Sequence, residues 1–292
     1  MPGKQFVFGA AVMGGWLAGC APAPDPVGSL SVEPGNIELG FSEFSRVRLE
    51  WTPGIELESV DGSLRVFVHL LDGDGEVART FDHPFPGDWL PGEPVRYDID
   101  LYQSALGDPL DAGSYDLIAG LYDEAGQRWP LDTDDGERSR HEYTVAIVEI
   151  PVEQRLVPML YFSEAWQGIE PGSDQQVLAR RWLSKDGIIR VKEVPGVGRF
   201  RFVVEIPGPG EREGSLVLDE GWTEPAVEID GDCTATPVTI AGYGRHVVMI
   251  ELQVPKTECD VTFEPRFVRV IDDIDQERAL VLENVAWSAE FD

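Results

Sequence analysis

Positive charge is what this 292-residue chain has least of: 23 Lys and Arg stand against 53 Asp and Glu, a net charge of -30. A surface of that sign repels phosphate backbones and anionic head groups, which disfavours nucleic acid as a partner and any membrane attachment through a basic face. Cysteine is nearly absent as well. Three residues, Cys20, Cys233 and Cys259, are too few for a disulfide-dense scaffold, and no second Cys or His lies two to four positions from Cys233 or Cys259, as a zinc site would require. No window of twelve residues keeps a 3.6-residue apolar stripe, so helices are not expected. A Ser-centred elbow, a zinc-binding His-Glu pattern and a phosphate-cradling glycine loop are all missing too, so an enzyme would have no named residues to stand on. No metal or cofactor is expected. Acidic residues are spread along the whole chain, as on a solvated surface, rather than gathered into one tail.

What is present begins at the N-terminus. Lys4 precedes an uncharged apolar run, Phe6 to Trp16, that has the length of a signal-peptide core and is too short to span a bilayer stably. Leu17-Ala18-Gly19-Cys20 follows. A large aliphatic residue, two small ones and a Cys at these offsets resemble the lipobox of bacterial lipoproteins. The resemblance implies that residues 1–19 are a signal peptide and that Cys20 carries the acyl chains, palmitate among them, through which the protein meets the membrane. Ala21, where an Asp would favour inner-membrane retention, implies the outer membrane of the cell envelope. Residues 20–28 hold Pro22, Pro24 and Pro26, each of which removes a backbone donor and restricts its predecessor. They read as an extended tether.

From Ser45 the period is two. Val47, Leu49 and Trp51 alternate with Arg46, Arg48 and Glu50; Val95, Tyr97, Ile99 and Leu101 alternate with Arg96, Asp98 and Asp100. Leu64–Leu71, Tyr115–Tyr122 and Tyr143–Ile150 are apolar on both faces and suit the middle of a sheet. Turn signals separate the runs: Asp72-Gly73-Asp74-Gly75, Pro91-Gly92, Ala112-Gly113 and Ala125-Gly126. The expectation is an all-β chain of two consecutive β-sandwich domains. The first, over 29–150, has about seven strands. Residues 151–158, with two prolines, form a linker. The second sandwich covers 159–292, with Phe200, Phe202, Val204 and Ile206 on one face, in a pattern that suits a jelly-roll.

With Cys20 assigned to lipid, Cys233 and Cys259 are an even pair in a compartment that permits disulfides, and a bond between them would contribute about 3 to 4 kcal/mol in the chain-entropy model. Asp72-Gly73-Asp74-Gly75-Glu76 begins like a calcium loop, but its twelfth position is His83, where an EF-hand needs Glu, so a hairpin turn accounts for it better. Asp132, Asp134, Asp135 and Glu137 make a second, unspecific acidic loop. His69, Asp82 and His83 fall on one hairpin, where a buried structural pair is the commoner outcome than catalysis or zinc. Trp89, Tyr122, Trp129 and Trp182 sit at turns or strand ends, where an exposed ring can stack on a sugar face or pack the sandwich rim.

The runs Val66-Phe67-Val68-His69-Leu70-Leu71, Asp82-His83-Pro84, Trp89-Leu90-Pro91-Gly92-Glu93, Gly120-Leu121-Tyr122-Asp123 and Arg128-Trp129-Pro130-Leu131 recur in an order that resembles immunoglobulin-like sandwiches beside bacterial membrane glycosyltransferases. They are similar, more distantly, to the glycan-binding end of polysaccharide exporters. Gly168-Ile169-Glu170 and Arg181-Trp182 resemble carbohydrate-binding modules of the same setting. No glycosyltransferase membrane domain accompanies them, so the resemblance implies glycan binding without catalysis. The expected function is therefore a non-catalytic, envelope-anchored lipoprotein that presents its sandwiches to a polysaccharide. The alternative is a scaffold or assembly lipoprotein that binds an envelope protein.

Overall fold

The computed structural model describes residues 24–57, 64–133, 136–152, 158–171, 179–193, 197–208, 216–234, 236–252, 258–271 and 276–288. The fold is all-β, and among the described residues no helix is long and apolar enough to cross a membrane. Residues 1–23, where the signal peptide and Cys20 are expected, and the middle of the 151–158 connection lie outside the described residues.

Two sheets enclose the first hydrophobic core. One has four strands in the order Leu131–Asp132, Gly28–Glu33, Phe44–Pro53, Val95–Tyr102. The other runs Glu137–Ser139, Glu142–Ile150, Gly113–Tyr122, Arg65–Leu71, Val77–Thr80, with three short strands added along its edges. The three runs read as apolar on both faces do lie inside this sheet. Their alternate residues serve two clusters: Val66, Val68, Leu70, Leu117, Ala119 and Leu121 enter the core, while Phe67, Leu71 and Ile118 form a small cluster on the outer face. Opposite them, Val47, Leu49, Trp51 and Leu101 point inward, and their polar alternates form cross-strand ion pairs outside, Arg48 with Asp98 and Arg96 with Glu50.

Two hairpins use one turn grammar, Asp-x-x-Gly. Asp72 Oδ1 accepts the amides of Asp74 and Glu76, and Asp123 Oδ1 accepts that of Gln127. Gly75 and Gly126 supply the left-handed residue at φ +82° and +79°. The first of these is the sequence that begins like a calcium loop, and its carboxylate is spent on the turn.

The second core lies between two five-stranded sheets. Their orders are Met159–Phe162, Gly187–Lys192, Glu258–Pro265, Ala226–Gly231, Val238–Ala241 and Trp166–Pro171, Ala179–Leu183, Leu280–Ser288, Gly198–Ile206, Gly244–Leu252. Phe200, Phe202, Val204, Ile206, Phe263 and Trp287 dominate the packing, with edge-to-face ring contacts such as Phe202 on Phe263 at 5.5 Å. Cys233 and Cys259 are disulfide-bonded and buried at one margin of this core, their Cα atoms 5.9 Å apart.

The halves meet along the Leu280–Ser288 strand, which is buried on both faces. Val285 and Trp287 turn their N–H groups away from the Gly198–Ile206 strand, beyond the reach of the neighbour on the other side, which pairs only as far as Leu282. The first half supplies the partners: Trp287 N–H donates to Ser42 O at 2.7 Å and Val285 N–H to Ser104 Oγ at 3.3 Å, while Val285 O accepts from Ala105 N at 2.8 Å. Buried amides need such partners, so the first sandwich completes the sheet of the second. Leu106, next in that loop, belongs to the second core.

Candidate ligand cleft between the two sandwiches

Beside this seam opens a cleft of about 370 Å³, within the size range of small-ligand sites. One wall is the Val95–Tyr102 strand and the Thr80–His83 turn of the first sandwich; the other is the outward face of the Gly198–Ile206 and Gly244–Leu252 strands. Alternation decides what each contributes. With Phe200 and Phe202 turned into the core, Arg201 and Val203 must face the cleft, and Val247 follows from its register opposite Val203.

Arg201 is the centre of the site. Its side chain is 10% exposed, its Nε donates to Asp100 Oδ2 at 3.2 Å, and its guanidinium lies over the Tyr102 ring at 4.5 Å. Among the described residues, its Nη1 is buried without a hydrogen-bond partner. A buried guanidinium N–H left unpaired carries a desolvation cost, so the position favours a ligand that accepts from it. Asp100 is shared with Arg46 at 3.4 Å. Tyr102 Oη accepts from Asn284 Nδ2 at 3.2 Å, and Phe81 packs edge-on against its ring.

The remaining lining groups are held in place by pairs of their own. Asp82 meets His69 Nε2 at 3.0 Å and accepts the Val68 amide at 3.1 Å. His83, which the sequence placed near both, turns instead to Tyr97: its Nδ1 donates to Phe81 O at 2.9 Å, its Nε2 accepts from Tyr97 Oη at 2.8 Å, and Tyr97 Oη accepts from Trp51 Nε1 at 3.2 Å. Burial pushes the His83 imidazole below its usual range and the Tyr97 phenol above its own, which keeps both neutral. At the cleft margin Arg245 Nε sits 2.7 Å from Glu283, whose carboxyl is raised by burial against the pull of that guanidinium.

The sequence-derived candidates lie elsewhere. Trp89 is half-buried against Phe85 and Trp51, with its N–H on Ile55 O at 3.0 Å. Leu121 opposes Trp129 and Tyr122 opposes Arg128, so Trp129 turns toward the core and Tyr122 to the outer face, on opposite sides of one sheet. Arg65 Nε donates to Tyr122 Oη at 3.0 Å. Trp182, in the second sandwich, donates to Glu170 at 3.0 Å and is faced by the Arg278 guanidinium at 4.4 Å. The four rings therefore occupy separate surfaces, each with an edge or a face already engaged. Cys233, Cys259 and Asp232 have ligand atoms close enough for a metal, but the sulfurs are bonded to each other and Asp232 Oδ1 accepts the Asp260 amide. In the second acidic loop, residues 134 and 135 lie outside the described residues.

Arg201, Tyr102 and Arg245 were not singled out by sequence. The available signal was the inward phase of Phe200 and Phe202, which forces Arg201 outward without revealing what it meets.

No protein-family model matches the chain, and no curated protein matches it. Among solved structures it is similar to the functional form of the mosquito-larvicidal Cry4Aa toxin from Bacillus thuringiensis, at 7% identity and TM-score 0.30 over 92% of this chain and 54% of the toxin. A calcium-binding mutant of Bacteroides uniformis beta-glucuronidase 2 gives 10% and 0.24, over 88% of this chain and 30% of the enzyme. The Yersinia pseudotuberculosis adhesin InvE gives 13% and 0.20, over 88% of this chain and 58% of the adhesin. The chain thus spans about half of the toxin's length and less than a third of the enzyme's.

Proposed function

We propose that the protein is a non-catalytic lipoprotein, acylated at Cys20 and held in the outer membrane by those chains, whose paired sandwiches bind an envelope polysaccharide in the cleft between them. One observation carries the binding half of this reading: a buried arginine on the cleft wall, held by Asp100 and the Tyr102 ring, has a guanidinium nitrogen with no hydrogen-bond partner among the described residues. Sugar recognition uses such a mixture of planar donors, carboxylate acceptors and ring faces. The absence of catalysis is supported by how the lining is committed. Asp98 and Asp100 face Arg48 and the Arg46 and Arg201 pair respectively, which ties both carboxylates to guanidinium groups.

Two measurements test the two halves. The intact mass of the mature N-terminal peptide carries diacylglycerol and acyl mass on Cys20; an unmodified thiol there ends the lipoprotein reading. In affinity electrophoresis the chain is retarded by at least one embedded envelope polysaccharide. Free migration through all of them ends the glycan reading.

A further inference from the structure

The charge pattern of the cleft narrows the ligand beyond polysaccharide in general. The unspent group, Arg201 Nη1, is a donor, so the atom that meets it must be an acceptor; an ammonium has none to offer. The other polar lining raises the cost of a full negative charge. Each cation of the lining already faces a carboxylate, Arg201 Asp100 and Arg245 Glu283, and His83 is neutral, so the cleft has no spare cation to offset an anionic ligand within a chain carrying -30. An acceptor oxygen without formal charge satisfies both conditions.

We infer that the cleft selects neutral, polyhydroxylated saccharides, one hydroxyl or ring oxygen accepting from Arg201 Nη1 while neighbouring hydroxyls donate to Asp82 and Asp100. This rests on the glycan reading above and sharpens it. The carboxylates retain acceptor capacity after their ion pairs, since each has about four lone-pair sites. Phe81 and Tyr102 offer apolar ring surface, and Val247, 58% exposed at the rim, is the apolar lip over which a sugar chain would enter. Acidic saccharides carry the acceptor but bring a charge for which the lining, its cations already facing carboxylates, has no counter-ion.

The test uses the full acylated chain in detergent micelles and three probes: neutral dextran and mannan, and acidic alginate. Two substitutions address the cleft differently. Val247→Trp fills its mouth from an exposed position without touching the seam. Arg201→Lys keeps a cation beside Asp100 and removes the second arm of the fork. Arg190→Ala, on the outer face of the other sheet, is the control. Retention by dextran or mannan, weakened tenfold or more by both cleft substitutions and unchanged by Arg190→Ala, with alginate unretained, supports the inference. Tighter binding to alginate overturns it and leaves the glycan reading standing, as does neutral binding that neither substitution weakens. No retention by these probes or by any envelope polysaccharide overturns both.

Discussion

Two arginine–aspartate pairs make an instructive contrast. On the outer face of the second sandwich Arg190 grips Asp260 with both arms, at 2.7 and 2.9 Å, on a surface where the partners are 46% and 34% exposed. At the seam Arg201 reaches Asp100 with one arm at 3.2 Å, the partners being 10% and 17% exposed. Geometry alone ranks the outer pair first. Environment reverses the order, because water and salt screen the outer pair, whereas each seam residue would lose a compensating charge where water cannot replace it. The outer pair belongs to a ladder, with Lys192–Glu258 and Arg266–Glu228 beside it, that spends scarce cations on keeping an acidic sheet face from repelling itself. The seam pair spends one on joining the halves.

The largest effect that follows is for Asp100→Ala. Leaving Arg201 without its counter-charge costs about 3 to 5 kcal/mol, read as a lower denaturant midpoint. A loss confined to the range of exposed pairs would erase the contrast. Leu106→Ala comes next, at about 2 to 5 kcal/mol. Because Leu106 is a first-half residue in the second core, hydrogen exchange should quicken in Gly198–Ile206; exchange that changes only in the first half would separate the two cores.

Protonation sharpens the same comparison with two opposite signs. Glu283 has its carboxyl raised by burial, so the folded state holds that proton more tightly, and stability falls as pH rises from the ordinary carboxylate value through the raised one. Glu283→Gln removes this loss: the variant matches the parent below about pH 4 and exceeds it near neutrality. His83 works the other way. Its folded pKa is depressed, so its contribution is present at neutral pH and drains away as pH falls below about 6.5. Urea midpoints between pH 4 and 8 would show which dominates. The smallest effect is for Arg190→Ala, which should leave the melting temperature unchanged within error at high salt; a clear drop there would mean the ladder is more than surface compensation.

Much of the sheet architecture was legible from the chain alone, because it rests on local rules. Alternation at Val47, Leu49 and Trp51 gives a half-buried strand wherever the strand ends up, and Asp72 with Gly75 makes its turn from its own atoms. The seam was not legible, because its residues obey a partner that the local pattern does not contain. Glu283, Asn284 and Ser288 read as the wet side of a strand yet are buried. Leu106 reads as a loop residue and is core. Met159–Phe162 and Trp166–Pro171 escaped notice for a related reason: short edge strands bury too few residues to impose a period. The aromatic candidates failed to converge because position at a strand end says nothing about which side of the sheet a ring takes, as Tyr122 and Trp129 demonstrate.

The way the first half caps the amides of Val285 and Trp287 bears on how the polypeptide can be divided. Produced alone, the second half would bare those donors along a strand that wants a neighbour, above a hollow shaped for a missing leucine, and like molecules would be the nearest substitutes. Such a fragment should polymerise rather than fold quietly. The two halves are consequently best produced as one piece, with the seam kept intact.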